Sequence, residues 1–221
     1  MNTPPPPTIL VFGRLTLAAA GVAAALAAFL WLAREVGAGE TLRLDAGAFH
    51  YFQARQSPPL YALMAGVSLL ASGWAITGVS VLCVIAFWLR PALRGRALAL
   101  LLAAAGGQGV VYVLKALFHR ARPEAAFAPL GYSFPSGHAF VAVTLYGLLA
   151  YWRTRESPPG RRAGLWSAAV ALILLIGFSR VFLGVHYVSD VAAGFASGWP
   201  WLWGCLALTA GKRETKENGQ R

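Results

Sequence analysis

The feature of this sequence that most restricts its fold is a series of long apolar stretches separated by short charged ones. They cover residues 15–33, 60–89, 97–117, 138–152, 163–179 and 187–210. A helix needs about 20 mainly apolar residues to cross a bilayer core. The 221 residues are 57% hydrophobic and 12% charged, which excludes an ordinary soluble domain. The sequence therefore predicts an all-α polytopic membrane protein, a bundle of six transmembrane helices.

The second stretch, residues 60–89, is longer than one crossing requires. At about 1.5 Å per residue it exceeds a bilayer core of about 30 Å. Ser72, Gly73 and Thr77 mark a possible bend, so this stretch is either one long helix that starts at the interface or two short helices. Two true crossings here would invert the orientation of everything that follows.

The basic residues predict the orientation of the bundle. With six spans and a cytoplasmic N-terminus, the cytoplasmic basic residues are Arg14, Arg90, Arg94, Arg96, Arg153, Arg155, Arg161, Arg162, Lys212, Arg213, Lys216 and Arg221. The outer ones are Arg34, Arg43, Arg55, Lys115, Arg120, Arg122 and Arg180. Basic residues concentrate on the cytoplasmic side of membrane proteins, so we expect both termini inside.

A net charge of +11 raises the question of a nucleic-acid partner. Most of the excess lies between apolar stretches, where it sets topology and attracts anionic lipid head groups. No basic stripe interleaved with aromatic residues is present, so we expect membrane lipids as partners and no nucleic acid.

The chain is long enough for one membrane domain over residues 1–221 and leaves no room for a second, soluble one. The proline-rich start lacks the pattern of a cleaved signal, so the first apolar stretch is expected to remain as a span. Residues 1–8 and the polar tail 212–221 are expected to be disordered.

Three short motifs carry the residues suited to chemistry, and the predicted topology puts them at the same, outer face. The first is K-x6-R-P, formed by Lys115, Arg122 and Pro123. The second is Pro135, Ser136, Gly137 and His138. The third is S-R-x5-H-x3-D, formed by Ser179, Arg180, His186 and Asp190. Each motif alone has an ordinary structural explanation, but together they describe a phosphate site.

The motifs supply groups that can bind the phosphoryl group during its transfer. Lys115, Arg122 and Arg180 supply cations for the phosphoryl oxygens. The backbone N–H groups of Ser136, Gly137 and His138 should point from a helix N-terminus toward an anion, and Ser136 can add a hydroxyl donor.

The histidines supply the nucleophile and the acid. Asp190 stands one helical turn from His186 and can hold one imidazole nitrogen protonated, which leaves the other free to attack phosphorus. His138 is then available to protonate the leaving group and afterwards to activate water. The sequence contains no acidic cluster suited to Mg²⁺, so we expect no metal and no cofactor.

These residues resemble the three signature motifs of the type 2 phosphatidic acid phosphatase (PAP2) superfamily, which also contains vanadium haloperoxidases. Every specified position is present, in order, between Lys115 and Asp190. The resemblance implies a PAP2/haloperoxidase-like helical core. It also implies phosphate binding by Lys115, Arg122, Ser136, Gly137 and Arg180, with His186, His138 and Asp190 as the catalytic residues.

The expected function is metal-independent hydrolysis of a terminal phosphate from a lipid phosphate or diphosphate, through a phosphohistidine, at the outer face of the cell (inner) membrane. Short outer loops and a bias toward Ala, Leu and Arg favour a bacterial enzyme. Undecaprenyl diphosphate is the favoured substrate, with phosphatidylglycerol phosphate or phosphatidic acid possible. Two alternatives are a lipid phosphotransferase with the same pocket and a non-enzymatic lipid-binding protein.

Overall fold

The computed structural model describes residues 7–124 and 131–210, and helices make up nearly all of this part of the chain. In order, the α-helices are α1 (Pro7–Ala38), α2 (Leu42–Gln53), α3 (Pro58–Leu69), α4 (Gly73–Trp88), α5 (Arg94–Leu101), α6 (Gly107–Phe118), α7 (Gly137–Val141), α8 (Gly147–Arg155), α9 (Pro159–Phe182) and α10 (Val188–Ala210). No strand occurs within the described ranges, so the all-α prediction is confirmed. The predicted disordered tail 212–221 and most of the predicted disordered start lie outside these ranges.

Four helical stretches in the described residues are long and apolar enough to cross a membrane: Thr16–Ala38, Pro58–Trp88, Pro91–Phe118 and Pro159–Phe182. They correspond to the first, second, third and fifth predicted spans. The fourth and sixth predicted spans are also helical, as α7 to α8 and as α10, but they are not among the four. A membrane bundle is therefore supported, and the count of six spans stays a prediction.

The second stretch is interrupted where its polar residues predicted a bend. α3 ends at Leu69, and Ser72 caps α4 by accepting a hydrogen bond from the backbone N–H of Ala75. A side-chain cap of this kind satisfies an N–H group that the first turn of a helix leaves free. The two helices together form one candidate span, Pro58–Trp88.

Two π-helical turns interrupt the helices that lead to and from the site. Leu102–Gly106 joins α5 to α6, and Ala142–Tyr146 joins α7 to α8. The two turns contact each other in the bundle. Such turns are often found near functional sites, and they change the direction in which the following side chains point.

The centre of the bundle is the continuous helical run from α7 to α8, whose side chains are mostly buried. α10 packs directly against it, and α1 packs against α10. A Cβ atom on Gly194 would lie 2.5 Å from the carbonyl oxygen of Ser136, and one on Gly198 would lie 2.8 Å from that of Phe140. This G-x-x-x-G spacing lets the two backbones approach as closely as small residues allow in membrane helices.

We expect Gly194→Ala to destabilise the protein, because the added methyl group overlaps backbone atoms that cannot rotate away. Overpacking of this kind costs about 1–3 kcal/mol. The thermal unfolding midpoint of the purified protein in detergent should fall. Gly204→Ala is the matched control on the same helix, since its Cβ meets nothing within 4 Å. Equal midpoints for the two variants would contradict the close packing.

Candidate active site

The three motifs meet at one end of the bundle. Lys115 lies in the last turn of α6, Ser136 directly precedes α7, and Arg180 lies in the last turn of α9. His186 occupies the turn between α9 and α10. The backbone N–H of Ser136 donates a hydrogen bond to the carbonyl oxygen of Asp190 at 2.9 Å, which joins the second motif to the third.

The segment after α6 is folded back over this end of the bundle. His119 has a left-handed conformation with φ of 49°, which terminates α6. Ser133 bonds to this segment through its N–H, which donates to the carbonyl of Arg120 at 2.8 Å, and through its hydroxyl, which lies 2.9 Å from the carbonyl of Ala121 and 3.3 Å from that of Arg120. These bonds hold Arg120 and Arg122 beside the turn that carries His186.

His186 stands between a carboxylate and a guanidinium. Its Nδ1 lies 3.4 Å from Oδ2 of Asp190, and its Nε2 lies 3.2 Å from NH1 of Arg122. An arginine nitrogen can only donate, so Nε2 must be the acceptor and Nδ1 must carry the proton that faces Asp190. The network therefore selects the tautomer in which Nε2 carries no proton and its lone pair faces Arg122.

His186 is only 3% exposed, and this burial lowers its pKa from 6.5 to about 4. Asp190 opposes the shift, while Arg180 and Arg122 add to it. The imidazole is therefore neutral at physiological pH, which is the state in which it can act as a nucleophile.

Arg122 is fixed by backbone contacts and does not depend on a bound anion for its position. NH1 donates to the carbonyl of Val185 at 2.7 Å, and Nε donates to that of Gly131 at 3.0 Å. The ammonium of Lys115 is similarly held by the carbonyls of Tyr132 and Ser133. A lysine has three N–H donors, so one remains for another acceptor.

Two polar atoms of the predicted phosphate-binding set are buried without a hydrogen-bond partner among the described residues. They are the hydroxyl oxygen of Ser136 and Nε of Arg180. Arg180 uses NH1 to contact the hydroxyl of Ser68. Buried polar groups are almost always paired, so these two mark a place where a polar ligand fits.

His138 lies in the first turn of α7, half-buried, and within electrostatic range of His186, Arg180, Arg122 and Lys115. All eight predicted site residues are thus at the same end of the bundle. Within residues 7–124 and 131–210, no group of three or more His, Cys, Asp or Glu side chains could hold a metal ion.

The structure adds residues that the sequence analysis did not select. Arg120 had been counted only among the outer basic residues, and Asp45 on α2 had not been considered. Arg120 donates to Asp190 at 2.6 Å and to Asp45 at 2.7 Å. Burial by itself would lower the pKa of Arg120, but Asp190 and Asp45 together raise it. No sequence pattern marks Asp45, because the residues that it contacts are remote in sequence.

The chain also resembles proteins of a known family. The family model of the PAP2 superfamily matches residues 96–214, which is more than half of the chain and includes all three motifs.

Individual relatives match over shorter stretches. Phosphatidylglycerophosphatase B of Bacillus subtilis (strain 168) is 40% identical over 92 residues, 39% of this chain and 44% of that protein. An undecaprenyl-diphosphatase of Sulfolobus acidocaldarius is 35% identical over 74 residues, 32% of this chain and 30% of that protein. The chain therefore matches less than half the length of either relative.

A solved structure shares the fold over a larger part of the chain. The transmembrane PAP2-type phosphatidylglycerolphosphate phosphatase from Bacillus subtilis superimposes with a TM-score of 0.79 and 24% sequence identity. The match covers 87% of this chain and 97% of that protein.

Proposed function

The chain belongs to the PAP2 superfamily, and from this premise we propose that it removes a terminal phosphate from a lipid phosphate or diphosphate through a phosphohistidine on His186. The observation that carries the proposal is the chain of contacts from Arg122 through His186 to Asp190. These contacts leave Nε2 of His186 unprotonated beside the guanidinium of Arg122. A phosphoryl group that approaches the cation meets the nucleophile.

In the first step, Nε2 of His186 attacks phosphorus, and the bond from phosphorus to the leaving oxygen breaks. Arg122, Lys115 and Arg180 offset the charge on the equatorial oxygens. The proton on Nδ1 stays on the imidazole, whose new positive charge faces Asp190. His138 takes part as the imidazolium, which the bound phosphate anion favours, and it donates its proton to the leaving oxygen and becomes neutral.

In the second step, His138 accepts a proton from water, and the resulting hydroxide attacks the phosphohistidine. The P–N bond breaks, inorganic phosphate leaves, and His186 returns to its neutral form. If a lipid hydroxyl replaced water, the same residues would catalyse phosphotransfer, which is the alternative activity of the pocket.

The substrate class is supported by the membrane setting and by the names of the relatives. One relative is named for phosphatidylglycerol phosphate and another for undecaprenyl diphosphate. Both have a terminal phosphate on a long apolar anchor, which can stay in the bilayer while the head group enters the site. We favour a polyprenyl diphosphate such as undecaprenyl diphosphate.

We expect the purified protein to release phosphate from at least one of undecaprenyl diphosphate, phosphatidylglycerol phosphate and phosphatidic acid in detergent that contains a metal chelator. The diphosphate should be cleaved fastest. Phosphate release would be measured by a colorimetric assay, and products with an added acceptor lipid would be separated by chromatography. Absence of release from every substrate would contradict the proposal, and transfer to the acceptor would favour a phosphotransferase.

We expect His186→Ala to abolish turnover and to prevent formation of any covalent phosphoenzyme. His138→Ala should slow turnover about 10²- to 10⁴-fold, the usual contribution of general acid–base catalysis, and any phosphohistidine that forms should persist longer than in the wild type, because its hydrolysis loses the base. Intact-protein mass spectrometry after an alkaline quench detects the added phosphoryl group. His50→Ala, at an exposed position on α2, is the control. Unchanged activity in His186→Ala would overturn the assigned role.

The basic residues support an orientation with the site at the outer face and both termini in the cytoplasm. Arg96 and Glu156 form an ion pair at the end of the bundle opposite the site, among the arginines assigned to the cytoplasm. The site is thereby proposed to open toward the outer leaflet of the cell (inner) membrane.

Cysteine labelling tests this orientation. Cys83 and Cys205 would first be replaced by alanine, after which Glu40→Cys and Arg161→Cys would be introduced separately at exposed positions at opposite ends of the bundle. A membrane-impermeant maleimide applied to intact spheroplasts should label the Glu40→Cys variant and spare the Arg161→Cys variant until the cells are lysed. The reverse pattern would invert the topology.

A further inference from the structure

A buried cluster of charged side chains extends from the proposed nucleophile to a helix outside the three motifs. NH1 of Arg120 donates to Oδ1 of Asp190 at 2.6 Å, and NH2 donates to Oδ2 of Asp45 at 2.7 Å. Asp190 and Asp45 are 0% and 1% exposed, and the Arg120 side chain is 11% exposed. The guanidinium also lies over the ring of Tyr187, with 4.4 Å from its central carbon to the ring centroid.

Asp45 has the contacts of an ionised carboxylate. Besides Arg120, it accepts from the backbone N–H of Ser189 at 3.0 Å and from the Ser189 hydroxyl at 2.6 Å. Because the single hydroxyl proton of Ser189 points to Asp45, its oxygen is free to accept from Arg120 at 2.7 Å. The terminal nitrogens of Arg120 and both donors of Ser189 therefore have acceptors, as a buried charged network requires.

The charges of the cluster fit the proposed reaction. Asp45 and Asp190 carry two negative charges and Arg120 one positive charge, so the cluster has a net charge of −1 while His186 is neutral. When Nε2 bonds to phosphorus, the imidazole becomes cationic and its Nδ1–H faces Asp190. The positive charge of the imidazolium then balances the net charge of the cluster. Asp45 and Asp190 each supply one of the negative charges on which this balance depends.

We propose that Arg120 and Asp45 are positioning residues that hold Asp190 against His186 and set the charge available to the phosphohistidine. This role rests on the proposed function. Neither residue contacts the predicted phosphate-binding side chains, and neither belongs to the three motifs. Arg120 fixes the carboxylate of Asp190 from the side opposite His186, while Asp45 prevents the Arg120 guanidinium from swinging toward the phosphate site.

Other charged groups also act on His186. The titratable and charged groups that face His186 and Asp190 are Lys115 on α6, Arg120 and Arg122 after it, His138 on α7, Arg180 on α9, Tyr187 beside α10 and, through Arg120, Asp45 on α2. Only Arg120 and Asp45 can be changed without removing a predicted phosphate ligand, a catalytic residue or the Tyr187 ring.

The two residues have opposite charges, so their substitutions should shift the titration of His186 in opposite directions. Arg120→Gln leaves the cluster at −2, which stabilises the imidazolium, and the pKa of His186 should rise by about one unit. Asp45→Asn leaves the cluster at zero, and the pKa should fall. In the double variant the net charge is again −1, so the pKa should return toward the wild-type value.

The measurement is a carbon-13 NMR titration of the histidine rings in detergent, with His186 assigned by its disappearance in His186→Ala. Exposed Arg43→Gln and Glu40→Gln are the controls with the same charge changes, and neither should move the His186 titration. In parallel, kcat for the best lipid phosphate should fall on the order of tenfold in Asp45→Asn, with KM little changed, because the cluster no longer balances the imidazolium and one pKa unit corresponds to a factor of ten. In Arg120→Gln kcat should fall for a different reason, because Asp190 loses the contact that holds it against His186.

A purely structural role would lower kcat without shifts of opposite sign, and that result would overturn the inference. The titration does not require turnover, so it tests the cluster separately from the phosphatase activity. Opposite shifts in a protein that cleaves no lipid phosphate would support the role of Arg120 and Asp45 and reject the proposed function. If Arg120→Gln does not fold, Arg120→Lys keeps the charge and should retain the wild-type titration, while Asp45→Asn must still lower it. No shift in Asp45→Asn would then reject the inference.

Discussion

The contacts of Asp190 hold the site together. Its carboxylate accepts from the backbone N–H of Tyr187 at 2.9 Å and from Arg120, and it faces Nδ1 of His186. Its backbone oxygen accepts from the N–H of Ser136. One residue at the start of α10 thus joins α7, the turn that carries His186 and the segment after α6. A buried carboxylate is costly unless it is fully paired, so these elements must come together for the fold to be stable.

The need to pair the carboxylate of Asp190 explains why some helices lie in the centre of the bundle and others on its outside. The helices that carry Ser136, His138 and Asp190 lie in the interior, where they contact other helices, and are not among the candidate spans. α1 and α4 have many exposed large hydrophobic side chains, as lipid-facing helices do. Gly194 lets α10 pack closely against the start of α7, and this packing sets the distance between Asp190 and Ser136. The geometry of the site therefore depends on the packing of these two helices.

The sequence was sufficient to predict the helical class and the grouping of Lys115, His138 and His186 at one end. It placed a bend near Ser72 but left open whether residues 60–89 form one helix or two. These predictions rest on hydropathy and on motifs with fixed local spacing. The sequence was not sufficient to predict that Asp45 belongs to the site, because Asp45 lies 144 residues from Ser189 and contacts it only through tertiary packing. The contact of Gly194 with Ser136 also joins distant segments, although the G-x-x-x-G spacing is visible in the sequence. The number of spans was hard to predict because central helices need not be strongly apolar.

The imidazole of His186 lies on a boundary between two regions of opposite charge. On the Nε2 side are Arg122 and, farther away, Arg180 and Lys115, while on the Nδ1 side are Asp190 and the cluster behind it. In the proposed reaction, this polarity directs an anionic phosphate toward Nε2 and places negative charge beside the Nδ1 proton of the imidazolium. In an apolar bundle such fixed charges act more strongly than in water. The arrangement selects the tautomer of His186, and it is the feature on which the proposed orientation of the substrate and the proposed phosphohistidine both depend.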